Sequence, residues 1–178
     1  MSAAFCSHCA TPLERAPLDG RERLRCPACG LVVWRNPAPV GMALITCDSG
    51  LVLIRRAAPP LAGYWAPPAG YVECGESVAD AVRREAREEC GLEISLDGLL
   101  GVYSQADVDV LIVAYFAHAV GGRLAAGDDA ADARLFGTGA LPVEPPPQGG
   151  TTTDLWLHAT VTDCLARWRA AQPKESSR

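Results

Sequence analysis

The sequence predicts a mixed α/β domain preceded by a small four-cysteine zinc module, and three observations carry that prediction. Cys6-x2-Cys9 and Cys26-x2-Cys29 stand sixteen residues apart near the N-terminus. Beyond position 40, apolar runs of strand length alternate with amphipathic helical segments. The 178 residues are 49% hydrophobic and 21% charged with a mean hydropathy of +0.08, an ordinary globular composition. That length accommodates one well-buried domain and an appendage, not two full domains.

The first module spans residues 1–36. Two C-x2-C pairs at this separation match a structural zinc site, in which four thiolates close the tetrahedron and leave no position for water. Two disulfides or free thiols are the alternative, and the lack of a secretory signal favours metal. His8 reads as a bystander. Leu31 to Trp34 is a short apolar stretch, and Asn36-Pro37-Ala38-Pro39 marks the module boundary.

The main domain, 37–172, begins with strand-like runs Gly41–Cys47 and Leu51–Arg55. Asp48-Ser49-Gly50 between them predicts a β-hairpin. Residues 57–69 are rich in Pro, Ala and Gly and cannot form a regular helix. Ser77 opens a helix, with Asp80 three residues on as a capping box, Val78, Ala81, Val82 and Ala86 as its apolar stripe, and Gly91 as its stop. Leu92–Leu96, Leu99–Tyr103, Val108–Val120 and Arg134–Phe136 are strand candidates, and Leu155–Ala171 has helical spacing. Pro142–Gly150 is a loop, and 173–178 a frayed polar tail.

A net charge of −5 argues against nucleic acid or an anionic membrane as a partner. The longest apolar run, Val110–Val120, is about half of the ~20 residues that span a bilayer. With no signal or transit peptide, the cytoplasm is the expected compartment.

The chemistry concentrates between Gly70 and Leu92. Glu85, Glu88 and Glu89 are spaced i, i+3 and i+4, so three carboxylates share one helix face and repel one another by roughly 0.2–0.5 kcal/mol per pair. Hard divalent ions such as Mg2+ or Mn2+ take oxygen ligands of this kind. A solvated charged face is the bland alternative for an isolated E-x-x-E-E run beside Arg83, Arg84 and Arg87. Gly70 and Glu76 at fixed spacing upstream favour the metal site.

Gly70-x5-Glu76-x7-Arg84-Glu85-Ala86-Arg87-Glu88-Glu89-Cys90-Gly91-Leu92 resembles the box of the Nudix hydrolases, with Ala86 a small occupant of one aliphatic slot. The resemblance implies an α/β/α sandwich with a mixed sheet, and a metal-dependent pyrophosphohydrolase acting on a small nucleotide-derived substrate. It implies Glu85, Glu88, Glu89 and the Ala69 main-chain carbonyl as metal ligands, and Glu76 with Arg84 as the pair that locks loop to helix. The general base falls in an acidic loop where Asp128, Asp129 and Asp132 are the candidates, with no single one assigned. The N-terminal module is similar to the zinc ribbon of NADH pyrophosphatases and of ADP-ribose or FAD pyrophosphatases. Tyr103-Ser104-Gln105-Ala106-Asp107 departs from the S-Q-P-W-P-F-P motif of the NADH enzymes, which points to ADP-ribose-like or FAD-like substrates. The alternatives are a nucleotide-sensing module and an RNA-binding, decapping-like module that uses the ribbon. A homodimer is open to such a chain.

Around the site, Tyr64, Trp65 and Tyr103 are candidates for stacking a nucleobase, and Arg55 and Arg56 for meeting phosphates. Cys47, Cys74, Cys90 and Cys164 lack metal spacing and read as small apolar residues.

Overall fold

The computed structural model describes residues 5–48, 50–127 and 129–172. Cα proximity divides the chain into two compact units, Met1–Asn36 and Pro37–Arg178. Asp128 and the expected tail 173–178 lie outside the described residues.

In the first unit, β1 (Glu14–Leu18), β2 (Arg21–Arg25) and β3 (Val32–Val33) form an antiparallel sheet in that order. Asp19 and Gly20 join β1 to β2 with φ of 51° and 74°. Two consecutive positive φ values define the turn that Asp-Gly favours, a hairpin signal that the sequence reading passed over. Among the described residues of this unit, only Cys6 and Cys26 are buried. The described residues form no apolar core of their own.

The second unit is built on one sheet ordered β10-β5-β4-β9-β8, from β4 (Ala38–Cys47), β5 (Gly50–Arg56), β8 (Leu92–Tyr103), β9 (Val110–Gly122) and β10 (Ala130–Gly137). β4 and β9 pair in parallel and the other neighbours antiparallel, so the sheet is mixed. Two short strands extend it: β6 (Trp65–Ala66) on β5 and β7 (Ala69–Tyr71) on β4. β6 arises inside the segment 57–69 expected to be irregular, and β7 begins at its last residue.

Alternation along the central strands separates two cores. Met42, Leu44, Leu51 and Leu53 face one cluster, which includes Val161, Cys164 and Trp168 of α2 (Thr152–Ala171). Ala43, Ile45, Val52 and Ile54 face the other, with Val82, Ala86 and Cys90 of α1 (Val78–Cys90). Strands apolar on both faces need a helix on each side, and the result is the expected α/β/α sandwich. Trp168 is fully buried, its indole N–H donating to the Thr46 hydroxyl at 2.9 Å.

Local signals account for the element ends. Ser77 caps α1 by accepting from the Asp80 amide at 3.2 Å, and Gly91 ends it with φ 71°. Asp80 does not complete the expected box, because its carboxylate accepts from the Ser77 hydroxyl instead. α2 carries a full capping box between Thr151 and Asp154. Cys47 pairs directly with Gly50, so Gly50 belongs to β5 and the hairpin loop is a residue shorter than expected. The two strands expected at 92–96 and 99–103 are one strand, β8, with register shifts along it that take up the intervening residues. No helix among the described residues is long and apolar enough to cross a membrane.

Candidate active site and zinc-binding cluster

β7 positions the acidic ridge. Gly70 stands opposite Gly41 in the β4–β7 ladder, and α1 lies directly over that pair. A Cβ on Gly41 would strike Val82, and a Cβ on Gly70 would run into the Glu85 carboxylate. Val82 and Glu85 are one helical turn apart, so two facing glycines bring that turn against the strand.

Arg84 organises the carboxylates from the side. Its guanidinium donates to both Glu76 oxygens at 2.8 and 3.2 Å, to Glu85 at 2.7 Å, to Glu88 at 2.9 Å and to the Tyr71 carbonyl at 2.9 Å. Glu76 also accepts from the Glu73 amide at 2.8 Å, which closes the loop between β7 and α1. Only an arginine fork reaches this many acceptors at once. The Arg84 guanidinium holds the Glu76 carboxyl below its ordinary range.

The inner two carboxylates are in a different state. Burial pushes the Glu85 carboxyl up despite Arg84. Glu89 is 7% exposed and accepts from the Ala69 amide at 2.8 Å, yet burial, with Glu85 and Asp129 nearby, pushes it up to about 7. A buried and a half-buried carboxylate, both pushed toward the neutral form, favour a cation placed between them.

The ridge forms one wall of a cavity of about 590 Å³. Glu85, Glu88, Glu89 and Arg84 line it with Ala69 and Gly70. Arg56 and Asp129 enter from the β5–β10 side, Arg56 held through its Nε–H to the Pro60 carbonyl at 2.6 Å. The far wall is apolar: Met42 and Ile112 from the sheet, and Trp156, Leu157 and Val161 from α2.

The remaining candidates lie elsewhere. Arg55 donates to the Gly63 carbonyl, and Asp132 pairs with Arg134 at 2.6 Å and caps the Ala133 amide. Tyr64 meets His158 edge-on, and Trp65 packs against Phe136. The Tyr103 hydroxyl is held by Asp163 at 2.8 Å and Arg167 at 3.1 Å. None of these five lines the ridge cavity. The sequence reading missed Glu73, Thr153, Trp156 and Leu157, which do. Glu73 was signalled by its place in the loop before Glu76; the α2 residues carried no local signal.

In the first unit, the sulfurs of Cys6, Cys9, Cys26 and Cys29 all lie within 4.8 Å of one another. Cys6 approaches Cys29 at 3.6 Å and Cys9 approaches Cys26 at 3.4 Å. Tetrahedral zinc with Zn–S near 2.3 Å puts sulfurs about 3.8 Å apart, so the cluster is close to ligation geometry. Two loops of one design supply it: the Cys6 carbonyl accepts from the Ala10 amide and the Cys26 carbonyl from the Gly30 amide, with φ of 57° and 78° at the donors. The thiols are driven apart in acidity. Hydrogen bonding with Thr11 brings Cys9 down to about 6; Cys29, although the Leu31 amide lowers it, is carried up to about 12 by Cys26, burial and the other two thiols. Four thiolates at this spacing need a bound cation.

Residues 35–153 match the family model described as NUDIX domain, and residues 4–34 the model described as Nudix N-terminal. An ADP-ribose pyrophosphatase from Methanocaldococcus jannaschii is 41% identical over 114 residues, 62% of this chain and 68% of that protein. The NAD-capped RNA hydrolase NudC of Pseudomonas aeruginosa is 32% identical over 142 residues, which cover 79% of this chain and 50% of the relative. The chain thus spans about half the length of that relative. The crystal structure of a NUDIX hydrolase from Nitrosomonas europaea superposes with a TM-score of 0.79 at 23% identity, covering 96% of this chain and 95% of that one.

Proposed function

The chain belongs to the Nudix hydrolases, a family acting on pyrophosphate bonds, and from that premise we propose that it is a Mg2+- or Mn2+-dependent pyrophosphohydrolase of ADP-ribose-like or FAD-like substrates. The observation that supports this most is the division of the cavity into an acidic wall, an Arg56 and Asp129 corner, and an apolar shelf on α2. A nucleoside diphosphate linked to a second moiety has the matching parts: a flat apolar base, a polyanionic centre and a polar remainder.

The residues present fit divalent metal. Their donors are hard carboxylate oxygens, and at Gly70 the Glu85 carboxylate occupies the space that a side chain would fill. Glu85, Glu88 and Glu89, with the Ala69 carbonyl, would hold it. Bound there, it would neutralise the diphosphate and acidify a bound water. Arg84 shapes the ridge. Arg56 meets the diphosphate charge with a guanidinium already tethered on one side. Asp129 is the described acidic-loop residue at the cavity, so it accepts the proton of the attacking water; Asp132 is engaged with Arg134. The products are AMP and a phosphate ester.

ADP-ribose is favoured by the 41% identity to the M. jannaschii pyrophosphatase and by the departure at Tyr103–Asp107 from the motif of NADH enzymes. The match to NudC covers 79% of the chain, so NAD-capped RNA is the second reading and nucleic acid is not set aside as a partner. A metal-supplemented screen over ADP-ribose, FAD, NADH and NAD-capped RNA, read as AMP release, separates them. Glu85→Gln and Glu89→Gln should lose more than about a hundredfold in turnover while retaining the wild-type circular dichroism spectrum. Full activity in both would remove the metal site from the reaction.

A further inference from the structure

A second cavity of about 210 Å³ lies outside the ridge cavity, lined by Leu61, Trp65, Leu141, Leu165 and their neighbours, with Glu144, His158, Thr162 and Arg169 its polar residues. One residue lines both spaces: Val161. On α2, Trp156 and Leu157 line the first cavity, and His158, Thr162 and Leu165 the second. On β6 the boundary falls between neighbours, with Ala66 in the first and Trp65 in the second. Val161 and Ala66 belong to one buried cluster, and Val161 is 7% exposed. Val161 is therefore the wall residue that the two cavities share, a partition between them.

We propose that Val161 is a specificity-determining residue that closes the nucleobase end of the substrate cavity, and that the second cavity is the space it withholds from ring systems larger than a purine. This rests on the reading above that the apolar shelf of α2 receives the base. The shelf is apolar around Trp156, Leu157 and Val161, which suits a flat ring and not the hydroxyls of a ribose. A base lying along α2 from the ridge meets Val161 at its far edge. Removing the two Val161 methyls joins the cavities, and the new volume is itself largely apolar, so an extra fused ring enters without stranding a polar group.

The test compares ADP with 1,N6-etheno-ADP, which differ only by one ring fused to the base, using calorimetric dissociation constants in the presence of Mg2+. Wild-type protein should prefer ADP. Val161→Ala should shift the ratio toward the etheno nucleotide by about tenfold, the scale for adding or removing a methylene-sized contact in an apolar pocket. Val161→Thr, nearly the same shape, should keep the wild-type ratio. Leu165→Ala widens the second cavity and leaves the partition intact, so it too should keep it. A wild-type ratio in Val161→Ala overturns the proposal, as does an equal shift in Leu165→Ala. If Val161→Ala does not fold, Val161→Cys carries the same comparison with less packing lost. Because binding is measured, a protein that binds both nucleotides and hydrolyses none of the screened substrates refutes the proposed function and still decides this one. A wild-type protein that binds neither nucleotide overturns both.

Discussion

Gly70→Ala separates folding from function in this site. The added Cβ would land on the Glu85 carboxylate, the free end of a flexible side chain. Overpacking of a rigid core costs about 1–3 kcal/mol. Here the obstruction can rotate away, so the stability loss should fall near the bottom of that range. For a domain of this size 1 kcal/mol is roughly 2–4 °C in Tm. The displaced carboxylate, however, leaves its 2.7 Å contact with Arg84 and its place in the ridge. A misplacement of about 1 Å in a catalytic array costs on the order of a hundredfold in rate. Gly70→Ala should therefore lose about two orders of magnitude in kcat/KM with a Tm within a few degrees of wild type. Gly127→Ala is the contrast: its Cβ would strike the Glu88 carbonyl in the helix backbone, which cannot rotate away, so stability should suffer more than from Gly70→Ala. The assay is AMP release against metal concentration, paired with thermal unfolding of both variants. Near-wild-type activity in Gly70→Ala would refute the claim that close strand–helix approach at this glycine builds the metal site.

Two further outcomes follow from charge. With Mg2+ and Mn2+ withheld, Glu89 has a folded-state pKa of about 7 against an ordinary 4.5, so its protonated form stabilises the fold. That contribution is complete below 4.5 and is lost as pH rises through 7, on the order of 3 kcal/mol. Glu89→Gln should be more stable than wild type to urea at pH 8 without metal, with little difference at pH 4.5; Mg2+ should narrow the gap at pH 8, and equal stability of the two metal-free proteins at both pH values would remove the buried-carboxylate argument. In the N-terminal unit, where Cys6 and Cys26 are the only buried residues among those described, a cation held by the four cysteines would take the place of a core. Metal analysis should find one zinc per chain in the wild-type protein, and Cys26→Ser should abolish it and make the segment around β1 to β3 cleavable by trypsin at Arg21, Arg23 and Arg25; continued resistance would show that the unit is held by something else.

The features legible in the sequence are those set within a few residues or by side-chain chemistry of fixed stoichiometry. Ser77 and Gly91 bound α1 because a cap and a left-handed stop act on adjacent backbone groups. Glu85, Glu88 and Glu89 share a face because 3.6 residues make a turn, and the four cysteines are recognisable because thiolate sets at that spacing have few other uses. The strand runs were legible as a mixed α/β domain, while the sandwich with a helix on each face of the sheet followed only from the resemblance of residues 70–92 to the Nudix box.

Tertiary structure decided which of several equivalent side chains reach the cavity. Arg55 and Arg56 are indistinguishable as sequence, but successive residues of a strand point to opposite faces, and only the register of β5 between β4 and β10 puts Arg56 inside. Asp129 lines the cavity while Asp132 turns to Arg134, across the register shift between Ala130 and Asp132. Trp156 and Val161 come from a helix more than sixty residues beyond α1, and Gly41 matters because it lies opposite Gly70. Local sequence determined the reactive helix, because caps and helical period act at short range. The shape of the space around it depends on long-range pairing, which no local pattern encodes.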